Sequence, residues 1–329
     1  MMMNLFQWRY GLLLLPIILW LSVNSAHADI TCNANMNNGT VNIGNTITPS
    51  NANDARITAT LTYSCTNTAV TQRYASLCLG VDGGDYNSAI LNPRYMANLD
   101  SNSAKLAFTM TLPDGSLWGN SSNSTYKPAT FLIGPNATVN GSAVITVSLL
   151  PGFGNTLATQ GDYSNDFSGN HTTLTYQSHF DNTSSDCNNG SQTPSPFPFT
   201  VQATVINECK ITTPPANINL GNVPANKLNI KGSSSISVTC TNTAPYTIGL
   251  TPLNDNGAGA GIMTSTMSNS DVIPYQLQTA DGTAWGSVGN NVASNGTGAT
   301  KIHTVHVTVP SADVRPATYS DTVTVHVNY

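Results

Sequence analysis

Three short motifs occur twice in this chain, in the same order. Cys65-Thr66-Asn67-Thr68-Ala69 returns unchanged as Cys240-Thr241-Asn242-Thr243-Ala244. Asp114-Gly115 followed by Trp118-Gly119 returns as Asp281-Gly282 followed by Trp285-Gly286. Tyr163-Ser164-Asn165 returns as Tyr319-Ser320-Asp321. Each repeated cysteine also has an upstream companion, Cys32 or Cys209, 33 or 31 residues before it. Three matches in register mark two copies of one folding unit. The chain is therefore expected to fold as two related domains, which suits its 329 residues.

The pattern inside each copy is that of strands. Ile57 to Tyr63, Val144 to Val147, Ile236 to Val238, His303 to Val309 and Thr322 to Val327 alternate apolar with polar residues, many of them β-branched. Period-two alternation buries one face of a strand. Gly, Asn, Asp and Pro fall between these runs as turn signals. No stretch after residue 28 carries a helical period with caps. The expected class is all-β, built as sandwiches of short antiparallel strands.

The N-terminus reads as an export signal over residues 1–28. Arg9 precedes an apolar run from Gly11 to Val23, and Ala26-His27-Ala28 is an A-x-A cleavage site, so the processed chain should begin at Asp29. The run is shorter than the roughly 20 apolar residues that span a bilayer. Six cysteines in an exported chain read as a disulfide framework with 15 conceivable pairings. The repeat assigns Cys32–Cys65 and Cys209–Cys240, and leaves Cys78 to Cys187. Only 8% of residues are charged, against about 25% in ordinary domains, so Asn, Ser, Thr and Gly must keep the surface wet. A net charge of -5 without a basic cluster argues against nucleic acid.

Each copy carries a Cys…Cys-Thr pair, then D-G-x-x-W-G. The second copy closes with Pro316-Ala317-Thr318-Tyr319-Ser320-Asp321-Thr322-Val323-Thr324-Val325. This set resembles the spore coat protein U domain family, the pilin domain of archaic chaperone–usher (Csu-type) pili. The second copy matches along nearly its whole length, and the first more loosely. A looser first domain fused to a good pilin domain resembles the two-domain tip adhesin of such pili. The resemblance implies two immunoglobulin-like β-sandwich domains, the C-terminal one an incomplete pilin fold needing a donor strand. It implies a periplasmic chaperone, an outer-membrane usher and the next pilin subunit as partners, and a place at the cell surface, on the tip of a pilus. Three residues before Cys32 span only about 10 Å, too short to cross a neighbour's groove, as a tip subunit requires. The expected organisation is 29–190 as receptor-binding domain, 191–206 as linker and candidate cis donor strand, and 207–329 as pilin domain. In that middle segment Phe199, Val201, Ala203 and Val205 share one strand face.

Attachment is expected through apolar loops of the first domain. The candidates are Leu149, Leu150 and Phe153 in one loop, Ile90 and Leu91 in a second, and Phe131 and Leu132 in a third. Such tips would insert into hydrophobic surfaces, abiotic or host. A rival mode is a sugar pocket on Trp118, Tyr126 or Tyr95. Two further alternatives are a minor pilin that only starts the fibre and a coat protein of the same fold. No catalytic motif is present, and neither metal nor cofactor is expected. His303 and His306 fall on opposite faces of a strand, and Val81-Asp82-Gly83-Gly84-Asp85 lacks EF-hand spacing and reads as a turn.

Overall fold

The computed structural model describes residues 29–101, 104–182, 195–254, 257–267 and 270–329. The expected signal segment and Cys187 lie outside the described residues, while Cys78 is disulfide-bonded. The first sandwich contains β1 (Ile30–Met36), β2 (Thr40–Ile47), β3 (Arg56–Asn67), β4 (Arg73–Val81), β5 (Arg94–Asn98), β6 (Lys105–Thr111), β7 (Phe131–Ile133), β8 (Thr138–Leu149), β9 (Gly161–Asp166), β10 (Thr172–His179) and β11 (Thr200–Val205). One sheet runs β1-β3-β8-β6-β5-β9-β11-β2, and the facing sheet runs β10-β4-β7.

The second sandwich contains β12 (Cys209–Thr213), β13 (Leu228–Cys240), β14 (Pro245–Pro252), β15 (Ala260–Ser265), β16 (Val272–Gln278), β17 (Val292–Asn295), β18 (Thr300–Ser311), β19 (Tyr319–Ser320) and β20 (Val323–Asn328). Its sheets run β12-β13-β18-β16-β15-β19 and β17-β14-β20. Strand for strand this is the order of the first sandwich, without counterparts of β11 and β2.

The repeated residues occupy repeated places. Trp118 is buried and donates Nε1–H to the Leu79 carbonyl on β4 at 2.9 Å; Trp285 does the same to Ile248 on β14 at 2.8 Å. Tyr163 donates its hydroxyl to the Thr159 carbonyl at 2.8 Å, and Tyr319 to that of Arg315 at 2.8 Å. A tyrosine bonded back to a carbonyl a few residues upstream is the corner seen in immunoglobulin-like sandwiches. Trp118 is thus a core residue shared by both domains, which removes it as a sugar platform.

Cys32 faces Cys65 across β1 and β3, and Cys209 faces Cys240 across β12 and β13, each pair with 4.1 Å between Cα atoms. Closing a loop of about 30 residues removes unfolded-state entropy worth about 3–4 kcal/mol in the chain-entropy model. Replacing Cys209 and Cys240 by serine should lower the second domain's unfolding free energy by about that amount, read from its midpoint in urea.

Three residues, 206–208, separate β11 from β12. Asn67 turns inward and donates to the Thr71, Ile133 and Gly134 carbonyls of its own domain. Its repeat partner Asn242 instead donates to the Leu157 carbonyl of the first domain at 2.7 Å. Asn242 also bridges Thr159. The 151–160 loop therefore abuts the second domain.

Candidate functional site

Two places in the molecule can hold something else. The first follows from the strand missing in the second domain. In the first domain β11 lies between β9, antiparallel, and β2, parallel. Phe199 just before it and its own Val201, Ala203 and Val205 are buried. Phe199 stacks on Phe167 at 4.7 Å, and both Phe197 and Phe199 lie 6.2 Å from Trp118.

In the second domain β19 ends its sheet. The place that β11 takes in the first domain is an open groove of about 500 Å³. Ile236, Leu250, Leu277 and Val307 line it, with Ile218 and Leu220 on one wall and Tyr319 and Val325 on the other. The Ile218 wall is a fourth repeat that sequence comparison passed over. Val41-Asn42-Ile43-Gly44 on β2 recurs as Ile218-Asn219-Leu220-Gly221. In both, the Asn side-chain oxygen accepts the Gly backbone N–H, at 2.9 and 2.8 Å. Val41, Ile43 and Tyr163 are buried, whereas Ile218, Leu220 and Tyr319 are only half-buried. The difference is the cover that β11 supplies in one case and nothing supplies in the other.

The second place is the end of the first domain farthest from the second. β9 fixes the direction: Gly161 pairs with Val205, next to the domain junction, and Asp166 pairs with Thr200. Five residues of strand separate these ends by roughly 17 Å. At the far end lie residues 82–93. Asp85 N–H donates to the Asp166 carbonyl at 3.0 Å, and Asn165 Nδ2 to the Gly83 carbonyl at 3.0 Å. Gly83 admits no side chain, because a Cβ there would sit 1.9 Å from the Asn87 carbonyl oxygen.

Arg94 braces this loop from beneath. Its guanidinium is buried and donates to the backbone carbonyls of Asp82 (2.8 Å), Leu91 (3.0 Å) and Trp118 (2.6 Å). Burial lowers its pKa to about 9, with Asp82 opposing the shift, so it stays charged at neutral pH. From outside, His171 contacts two carboxylates. Nδ1 lies 2.9 Å from Asp82 Oδ1, and Nε2 lies 3.0 Å from Asp85 Oδ1. The hydrogen bond to Asp82 raises the His171 pKa most; burial opposes it, and the charge of Asp82 and the hydrogen bond and charge of Asp85 add to the rise. Sequence reading placed His171 in a polar loop and residues 81–85 in a turn, with no signal joining positions 86 and 89 residues apart.

The three apolar stretches do not form one surface. Ile90 is at the far end and 40% exposed, while Leu91 is half-buried against Gly119. Leu149 is not a loop tip: it ends β8, in phase with Ile145 and Val147, and is buried. Leu150 is half-buried, its N–H bonded to the Ala107 carbonyl, and Phe153 is half-exposed in the loop that abuts the second domain. Phe131 and Leu132 form β7, pairing with Ala75 and Tyr74. That is about seven residues, roughly 23 Å, back along β4 from Val81 at the far end. Phe131 packs 6.2 Å from the Tyr63 ring, leaving Leu132 exposed. Among the described residues no cluster of three or more metal-ligating side chains occurs.

Residues 195–326 match the family model of the Spore Coat Protein U domain. No curated protein matches the sequence. Similar solved structures include a chain of the CsuC–CsuE chaperone–tip adhesion subunit pre-assembly complex of Acinetobacter baumannii archaic chaperone-usher Csu pili. It is 14% identical, with TM-score 0.49 over 91% of this chain and 100% of that one. The CupB6 tip adhesin of Pseudomonas aeruginosa is 11% identical, with TM-score 0.39 over 92% and 95% of the two chains. CfaE, the adhesive subunit of CFA/I fimbria of enterotoxigenic Escherichia coli, is 12% identical, with TM-score 0.34 over 88% and 92%.

Proposed function

We propose, from the Spore Coat Protein U domain at residues 195–326, that this chain is the tip adhesin of an archaic chaperone–usher pilus. The observation that carries this is the asymmetry of the two domains. The first is closed by its own β11, and the second keeps an apolar groove where that strand would lie. A domain closed in cis can stand at the end of a fibre. A domain left open must be closed by a strand from another chain, because bare core and an unpaired strand edge invite aggregation. Its partners are then a periplasmic chaperone, an outer-membrane usher and the next pilin subunit. Residues 197–205 serve as the cis donor strand of the first domain.

The adhesive surface is the far end of the first domain, around Ile90 and Tyr86, and it promotes attachment and biofilm formation on hydrophobic surfaces. Burial of Trp118 disfavours a pocket built on that ring. Burying an isoleucine contributes about 1.5–3 kcal/mol, or about 10- to 100-fold in the affinity of one contact. Many pili multiply that effect.

Ile90→Asp should leave pilus number unchanged, since an exposed position costs little stability, and attachment to hydrophobic surfaces should collapse. Phe153→Asp, beside the domain junction, should leave both unchanged. Counting pili by electron microscopy alongside a cell-attachment assay reads the pair. Normal attachment by cells with Ile90→Asp pili would remove this loop as the adhesive contact.

A further inference from the structure

We propose that His171 is a proton-controlled latch that holds the 82–91 loop in place, so that the far end of the first domain is ordered under acidic to neutral conditions and released under alkaline ones.

The geometry carries the argument. Both ring nitrogens face carboxylate oxygens, Nδ1 at 2.9 and 3.0 Å from Asp82 and Nε2 at 3.0 Å from Asp85. A neutral imidazole has one N–H and cannot donate to both; an imidazolium can. The backbone of His171 is fixed independently, since its carbonyl accepts the Asp82 N–H at 3.0 Å. Loss of the proton therefore sets a lone pair against one carboxylate while the ring stays in position.

Asp85 is the partner that leaves. Its side chain is 63% exposed, against 11% for Asp82, and water can take up the released charge. Asp82 also holds the Gly84 N–H at 2.7 Å. The other charged groups at the latch are bound elsewhere. Arg94 reaches Asp82 through its backbone carbonyl. The Asp166 carboxylate is occupied by the Ser168 N–H and hydroxyl, at 3.0 and 2.8 Å.

Once Asp85 leaves, the segment carrying Tyr86 and Ile90 loses its imidazolium tie and is held by Gly83 N–H to the Ser88 carbonyl, Asp85 N–H to the Asp166 carbonyl, Asn165 and Arg94 on the Gly83 and Leu91 carbonyls, and the Tyr86 ring against Tyr95 and Lys105. The sign follows from the raised histidine. The latch is fully closed below the unfolded value of about 6.5. It is lost as pH rises through the higher folded value.

The test is an NMR titration of the full exported chain from pH 5 to 9. It follows the His171 Cε1–H signal, assigned by its absence in His171→Gln, and the amides of residues 84–91. The expected result is a His171 midpoint above 6.5, with the Tyr86 and Ile90 amides shifting at that same midpoint. Asp85→Asn should move the midpoint down. A His171 midpoint at or below 6.5, or loop amides that do not follow it, overturns the latch. Should His171→Gln fail to fold, the wild-type titration and Asp85→Asn still decide. The consequence for attachment rests on the adhesive reading of this loop and is measured separately. Amides that follow His171 while attachment stays flat across the same range sustain the latch and remove the loop from adhesion.

Discussion

Val201→Asp should unfold the first domain and leave the second folded. Val201 is buried in the middle of β11, between Asn165 on β9 and Val41 on β2. An aspartate there places a carboxylate in an apolar core with no cation beside it. Burial of an unpaired charge is one of the few changes that cost more than about 4–5 kcal/mol, and a domain of this size has about 5–15 kcal/mol in all. Phe199→Ala is the milder companion. It removes a ring stacked on Phe167 and Trp118 and should cost about 3–5 kcal/mol. From Asp29 onward, Trp118 and Trp285 are the tryptophans, one in each domain. Trp118 fluorescence in a Trp285→Phe background then reports the first domain, and Trp285 in a Trp118→Phe background the second. If Val201→Asp shifts the Trp285 transition and spares that of Trp118, residues 200–205 support the second domain and the cis reading fails.

The repeat made much of this fold legible. Cys65, Trp118 and Tyr163 have repeat partners in equivalent places and with the same bonds, because a motif kept twice records a packing requirement met twice. Ile57 to Tyr63 and His303 to Val309 alternate, since each has one face in the core and one in water; they lie in β3 and β18. β4 did not show itself. Every residue from Ala75 to Val81 is buried, so the alternation that marks a half-wet strand is lost. β2 was hidden for another reason. It pairs in parallel with a strand more than 150 residues away, and no local pattern encodes that partner.

The far end of the molecule was the least legible part. Leu149 read as a loop tip beside Pro151 and Gly152, yet strand phase carries it into the core. Which loops share an end depends on how β5, β6 and β9 are staggered against β8, a property of register rather than of composition. Ile90, Phe131 and Phe153 look alike in sequence and lie in three different places. The His171 contacts escaped because they join a turn to a segment one strand pair away, with nothing in either segment to name the other.

The groove of the second domain should bind an extended peptide and gain stability from it. The first domain supplies the template. Its β11 runs antiparallel to β9, with Ala203 opposite Tyr163 and Val201 opposite Asn165. The repeat carries those positions to Tyr319 and Asp321, so a strand entering the groove should place one inward side chain beside each. A peptide of the sequence 197–205, with four alternating apolar residues, is the natural first probe. Peptide at about 100 times its dissociation constant adds about 2.7 kcal/mol to the domain that binds it, which corresponds to a rise of about 10 °C in the melting temperature of a domain this size. Without the peptide the second domain should melt before the first, because Val325 and Val327 remain half-exposed where their counterparts in register, Thr172 and Leu174 on β10, are buried. A peptide with aspartate at the inward positions should do nothing, and Leu250→Asp in the groove should abolish the gain. A calorimetric trace in which the apolar peptide leaves the second domain's transition unmoved at saturating concentration would show that the groove does not accept a strand, and the fibre role built on it would fall with that result.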